Sequence, residues 1–244
     1  SLIARLWQPD SILEIDEKNY LSFSPRLIRF GSSGLAGVWA EENTRESIYN
    51  AFRRKETFGT SGPRIKVRFF AGYNFENSNL NDQDLIQEAY SKNIPMGGDI
   101  IQEKGKNPRF LVWAISDPLG APLQRVQIIK GWLADGEQRE KVFDVACSDG
   151  QSVNLLSHRC PDNGAKVNLD DCSISREKGN AEIKTFWQDP EFSNDQEAFY
   201  YARVLENPTC RWSTWDAVRA EEKPRSDIPV TIQERAWSSP IWIK

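Results

Sequence analysis

Histidine is nearly absent from this chain of 244 residues, which carries one imidazole, His158, beside nine Trp, twelve Phe and six Tyr. No Ser-His-Asp triad, multi-histidine zinc site or HExxH helix can be drawn without spending that single residue. A cationic excess is missing too: 31 Lys and Arg stand against 35 Asp and Glu, a net charge of -4. Such a balance supplies neither the basic face that nucleic acid requires nor a polybasic membrane anchor. No apolar run approaches the ~18 residues of a membrane span. The opening SLIARLWQPD lacks the basic and apolar regions of a secretion signal, so these residues predict a chain neither inserted nor self-addressed. There is no repeat of fixed period, no low-complexity tract, no Cys-x-x-Cys, and no Gly-Lys-Ser/Thr. What is present, 39% apolar and 27% charged residues, describes a globular protein long enough for a real core, of one or two domains.

The first 40 residues, with an acidic patch at Asp16 and Glu17, show no sustained period and read as irregular. Asn43 then opens Asn-Thr-Arg-Glu, a capping box with Glu46 at the third helical position. Ile48, Ala51 and Phe52 share one face of the helix it starts, which Arg53, Arg54 and Lys55 close near Thr57. From Pro63 the period changes to two, with Ile65, Val67, Phe69, Ala71 and Tyr73 alternating against Lys66 and Arg68. Phe110 to Ile115 is a continuous apolar run, the mark of a strand covered on both faces, and Asp117-Pro118-Leu119-Gly120 suits a type I turn. Leu123 to Leu133, Lys141 to Cys147, Ala181 to Trp187, Phe199 to Glu206 and Val230 to Ala236 are further β-branched and aromatic runs. One helix interrupts them at Asp82 to Lys92, with Leu85, Ile86, Ala89 and Tyr90 inward. Many short strands with turns between them predict an antiparallel sandwich or barrel.

Four cysteines, Cys147, Cys160, Cys172 and Cys210, allow three pairings. Cys160 and Cys172 bracket Asn163-Gly164, a strong hairpin-turn signal, which favours joining them across a short loop and leaves Cys147 with Cys210. Four reduced thiols in a cytosolic protein is the competing reading. His158, Cys160 and Cys172 offer zinc ligands but lack the spacing of a structural site. Gly31, Gly34 and Gly37 follow strand-like Leu27 to Phe30, yet their spacing fits no phosphate loop. Glu41, Glu42 and Glu46 are hard-metal donors in type, though charge at a helix N-terminus explains them equally. Asp189 with Glu191, or Glu206 with Glu234, can be imagined as a glycosidase pair; nothing in the sequence fixes their separations. Trp7, Trp39, Trp113, Trp132, Trp187, Trp212, Trp215, Trp237 and Trp242 stand mostly in apolar runs, where core packing competes with a sugar-stacking platform.

Several long stretches, LAGVWAEENTRESIYNAFRRKETFGTSG at 35–62, then Pro95-Met96-Gly97-Gly98-Asp99, FLVWAISDP, QRVQIIKGW, EKVFDVACSDG, FWQDPEF, FYYARVLENPTCRW and TIQERAWSSPIW, resemble the bacterial family known as domain of unknown function 3604. That family resembles the polymerase and histidinol phosphatase superfamily of metal-dependent phosphoesterases, whose N-terminal barrel binds metal through His and Asp in motifs such as Asp-Leu-His-x-His. His158, in SHRCPDNG, matches neither ligand motif, so the resemblance implies a C-terminal piece. On it, 35–62 is the closing loop and last helix of the barrel, and 63–244 an appended β-rich domain. Family members often look exported, which favours disulfides and a periplasmic or exported setting over the cytoplasm.

The expectation is therefore a mainly β fold: an antiparallel β-sandwich-like domain at 63–244, preceded at 1–62 by an irregular segment and a short helical remnant, with one inserted helix. Its function is expected to be that of a non-catalytic accessory domain that packs on the barrel of the same protein. A carbohydrate- or other ligand-binding sandwich is the alternative. No catalytic or metal-ligating residue is assigned, no cofactor is expected in this chain, and a divalent metal is expected in the full-length parent. Arg203, Glu206, Glu234 and Arg235 are the candidates for a ligand pocket, and the 43–57 helix is a candidate homodimer contact. Neither nucleic acid nor a membrane span is expected.

Overall fold

A computed structural model describes residues 12–15, 17–21, 29–75 and 78–244. Trp7, Asp16, Leu27 and Ile28 lie outside the described residues. The chain is mainly β and antiparallel, as the run of short strands predicts. Two sheets face each other. The larger has the strand order β10 (Glu137–Cys147), β9 (Leu123–Ala134), β12 (Ala198–Glu206), β15 (Arg235–Ser238), β4 (Thr57–Thr60), β3 (Leu35–Val38). The short β16 (Ile241–Ile243) also pairs with β12, antiparallel, and with β7 (Asp99–Ile100), parallel. The smaller sheet runs β11 (Glu182–Gln188), β8 (Arg109–Ile115), β5 (Lys66–Gly72), β6 (Ile94–Pro95).

Phe69 and Phe110 from the small sheet stack at 5.7 Å, and Phe110 meets Tyr200 of the large sheet at 4.7 Å. Trp187 of β11 meets Phe143 of β10 at 5.1 Å. These rings, with Val67, Val112, Val126, Ile128 and Val204, form the layer between the sheets. Helix α2 (Leu85–Lys92) covers the other face of the small sheet, burying Leu85 and Ala89 against Phe70 and Leu111. Both faces of β8 are therefore covered from Phe110 to Val112, where the apolar run begins, while Trp113 is half-buried and Ile115 is 38% exposed. Tyr90, expected inward on α2, is 41% exposed.

The segment read as irregular contains strands: β1 (Ile12–Ile15) pairs with β2 (Lys18–Leu21), and β3 pairs with β4. Helix α1 (Arg45–Arg53) lies between β3 and β4. Thr44, rather than Asn43, caps it, its hydroxyl accepting from Ser47 N at 3.2 Å while the Ser47 hydroxyl accepts from Glu42 N at 3.2 Å, so the cap sits one residue later. The helix ends at Arg53 and not near Thr57, because Lys55 takes φ 59 and turns the chain into β4. Ala51 is buried and Ile48 half-buried, while Phe52 is 51% exposed. β4 then pairs with β15, which binds the 35–60 segment into the large sheet.

The run Val230 to Ala236 divides into β14 (Thr231–Ile232), paired with β13 (Thr209–Cys210), and β15. Helix α3 (Trp212–Arg219), not foreseen in the sequence, follows β13. The β9–β10 hairpin turns on Asp135 and Gly136, both with positive φ (53 and 77), as a primed turn demands.

The disulfides are Cys147–Cys160 and Cys172–Cys210, which overturns the expected Cys160–Cys172 and Cys147–Cys210. Asn163 does not form a hairpin tip. It is 5% exposed and anchors its loop inward, its amide donating to Asn207 Oδ1 at 2.9 Å and to the Ser148 hydroxyl at 3.2 Å. Asp144 on β10 accepts from Cys160 N at 2.7 Å, which brings Cys160 back beside Cys147. All four thiols being consumed, the zinc trio with His158 is also ruled out. The two disulfides suggest an oxidising compartment. Among the described residues no helix is long and apolar enough to cross a membrane.

Candidate functional site

The ends of β12 and β15 bring Glu206 and Glu234 together, Glu206 N donating to Glu234 O at 3.0 Å. Glu206 is 1% exposed: Oε2 accepts from Ala121 N at 3.3 Å, and Oε1 is buried with no hydrogen-bond partner. Burial pushes its carboxyl up to about 8, with the charges of Asp117 and Glu234 adding to the rise. Glu234 accepts from the Ser61 hydroxyl. The arginines turn elsewhere, Arg203 Nε to Gln127 Oε1 at 2.6 Å and Arg235 to Gln233 O at 3.1 Å. Asp189 is the hub of an interior network: Lys130 Nζ and the Tyr200 hydroxyl each lie 2.7 Å from Oδ2, and burial drives the Tyr200 pKa upward. Glu191 pairs with Lys141. Each carboxylate of the imagined acid/base pairs thus serves an internal contact.

Two surface features remain open. One is a cleft of about 530 Å³ between α1 and α2, lined by Trp39, Arg54, Glu56, Arg68 and Tyr90. The Arg68 guanidinium lies 3.6 Å from the Trp39 ring centroid and donates to the Tyr90 hydroxyl at 2.7 Å, and that hydroxyl donates to buried Glu56. Burial, then the bond to Glu56, raises the Tyr90 pKa. With Glu56 also 3.4 Å from Arg54, this constellation is closed on itself. Trp39, Arg54, Arg68 and Tyr90 each drew notice in the sequence, none as part of a cleft, and Glu56 did not; they are separated by helix, turn and strand, and spacing alone does not join them.

The second feature is a groove of about 870 Å³ on the outer face of the large sheet. Along β12, Ala198, Tyr200 and Ala202 point into the core, so Phe199, Tyr201 and Arg203 face outward. Register places Trp242 of β16 beside Phe199, Phe199 beside Gly131 of β9, and Gly131 beside Glu140 of β10. A Cβ on residue 131 would lie 2.3 Å from the Phe199 ring, so only glycine lets that ring lie across the neighbouring strand.

The family profile described as "Protein of unknown function (DUF3604)" matches residues 8–244. The chain belongs to the DUF3604 family. No curated protein and no solved structure matches it. In this DUF3604 chain no group of three or more His, Cys, Asp or Glu side chains converges as a metal site among the described residues. The lone imidazole, His158, packs against Phe143 at 5.0 Å. Of the tryptophans, Trp187 is core, Trp39 donates to Val67 O at 2.8 Å, and Trp212, Trp215 and Trp242 are 38%, 37% and 41% exposed.

Proposed function

We propose that this DUF3604 chain is a non-catalytic β-sandwich, the accessory part of a larger metal-dependent hydrolase of the phosphoesterase-like kind, packing on and stabilising a catalytic barrel of the same protein. The observation that carries the reading is the engagement of Asp189, Glu191, Glu206 and Glu234 in internal bonds, which leaves none of them poised as an acid or base over a cleft. The parentage in a phosphoesterase-like superfamily, and the status of the chain as a C-terminal piece, rest on the resemblance of its motifs. The divalent metal belongs on this reading to the barrel, and no residue of this chain is assigned to it. Edge strand β3 with Leu35 and helix α1 with Tyr49 and Phe52 keep large apolar side chains exposed, which suits them to a neighbour. That neighbour is the barrel, or a second copy of the chain in its absence. The purified chain supplied with Mn²⁺ or Zn²⁺ should not hydrolyse p-nitrophenyl phosphate. A turnover lost in Glu206→Gln or Asp189→Asn while the fold survives would overturn the reading.

A further inference from the structure

We propose that the groove on the outer face of the large sheet is a binding site for a neutral oligosaccharide. Its floor carries two rings fixed by strand register, Phe199 and Trp242, and Tyr201 stands next along the same outward face of β12. The Phe199 and Tyr201 rings are 14° from coplanar with centroids 6.4 Å apart, and Trp242 lies 5.0 Å from Phe199, tilted by 49°. A pyranose presents a patch of C–H bonds on one face that packs against such a ring, and successive sugars of a twisted chain meet successive rings at different tilts. Gly131 clears the space beneath Phe199, so the floor is made by the backbone as well as the side chains.

The rim supplies the other half of sugar chemistry. Gln138, Glu140 and Glu197 line the groove with exposed amide and carboxylate groups that make no side-chain hydrogen bond among the described residues. A carboxylate or amide there can engage two adjacent hydroxyls at once. The rim cations are already committed, Arg139 to Glu137 at 2.6 Å and Lys244 to Asp99 at 2.7 Å. Glu140, Asp195 and Glu197 then leave a negative rim, which repels uronate, sulfated glycan and nucleic acid and admits an uncharged polyol. A volume of about 870 Å³ falls within the ~300–1,000 Å³ of small-molecule sites. The groove stands whether or not a catalytic barrel accompanies the sandwich.

Affinity electrophoresis of the 244-residue chain tests it, through gels carrying mixed-linkage β-glucan, xylan, galactomannan or dextran, with polygalacturonate as the anionic arm. Retardation is expected in at least one neutral gel and not in polygalacturonate. Trp242→Ala should weaken binding to the retarding polysaccharide about tenfold or more, with the melting temperature unchanged. Gln138→Ala and Glu197→Gln, on the exposed rim, should weaken it with no effect on folding. Absence of retardation in every neutral gel, retardation that survives Trp242→Ala, or retardation by polygalacturonate alone would overturn the assignment. So would a Trp242→Ala-sensitive dimer in light scattering without retardation, which would give the face to protein contact.

Discussion

At the end of β12 one Glu206 oxygen accepts a single amide hydrogen bond and the other meets no donor. The carboxyl keeps its proton in the folded chain up to about pH 8, against the ordinary 4.5 of an exposed glutamate. Between those values the folded state holds a proton that the unfolded state has released, so stability falls as pH rises from about 5 to 8 and the loss is complete above. Glu206→Gln keeps the shape and removes the charge. Its urea midpoint should exceed that of the wild type at pH 9 and differ less at pH 5; equal differences at both would refute the account. Asp189 differs in having a buried cation as its partner. Asp189→Asn leaves Lys130, 3% exposed, without its counter-charge and should cost about 3–5 kcal/mol in urea unfolding. Combining Asp189→Leu and Lys130→Met with Tyr200→Phe, which removes the hydroxyl that also bonds Asp189, should recover most of that, since well-packed apolar groups need no partner.

Among the elements, β5, β8, β9, β10, β11, β12 and α2 were legible because their apolar positions carry a period or a continuous run, whereas β1, β2 and β3 lie in the stretch read as irregular. The cap of α1 was legible only to within one residue, because Asn43 and Thr44 are both good caps and the Ser47 amide reaches the Thr44 hydroxyl. The cysteine pairing was not legible. Asn163-Gly164 reads locally as a hairpin, whereas tertiary contacts to Ser148 and Asn207 decide its place. The bonds now seen span 13 and 38 residues, and by chain entropy should contribute about 3 and about 4 kcal/mol. Non-reducing peptide mapping should recover Cys147 with Cys160, and Cys172→Ala/Cys210→Ala should lower the melting temperature more than Cys147→Ala/Cys160→Ala. On α1, Ala51 is fully buried and Phe52 faces outward. Phe52→Asp should therefore shift the stability of the isolated chain by no more than about 0.5 kcal/mol, while Ala51→Asp should unfold the segment. A large loss from Phe52→Asp, or its dissociation of a dimer in light scattering, would show that the face is covered in solution.

For the molecule as a whole, a β-sandwich could be read from the number and spacing of strands, but strand order could not. Nothing local to 35–60 says that β3 and β4 join the sheet of β12 and β15, because their partners are chosen by contacts across most of the sequence. The same holds for the groove: Phe199, Gly131 and Trp242 become neighbours only through register, so nine tryptophans could be counted without knowing which ring lies beside which. The four candidate pocket residues fared accordingly, Glu206 and Glu234 meeting at adjoining strands and both arginines being taken up by glutamines.

The seam between β4 and β15 has a consequence for how the chain is made. Thr57 bonds to Ser239, 182 residues further along, and β15 stands between β4 and β12 in the sheet. At about 5–20 residues per second, a ribosome takes roughly 10–35 s to deliver the second half of that seam after the first. Throughout that interval the flank of β4 that awaits β15 has backbone amides and carbonyls with nothing to pair with, a template for wrong partners, and the flank of β12 joins it once residues 198–206 are made. A nascent chain stalled before residue 235 should therefore be cut by protease at β4 while the β9–β10 hairpin, whose halves emerge together, resists, and full-length release should close both.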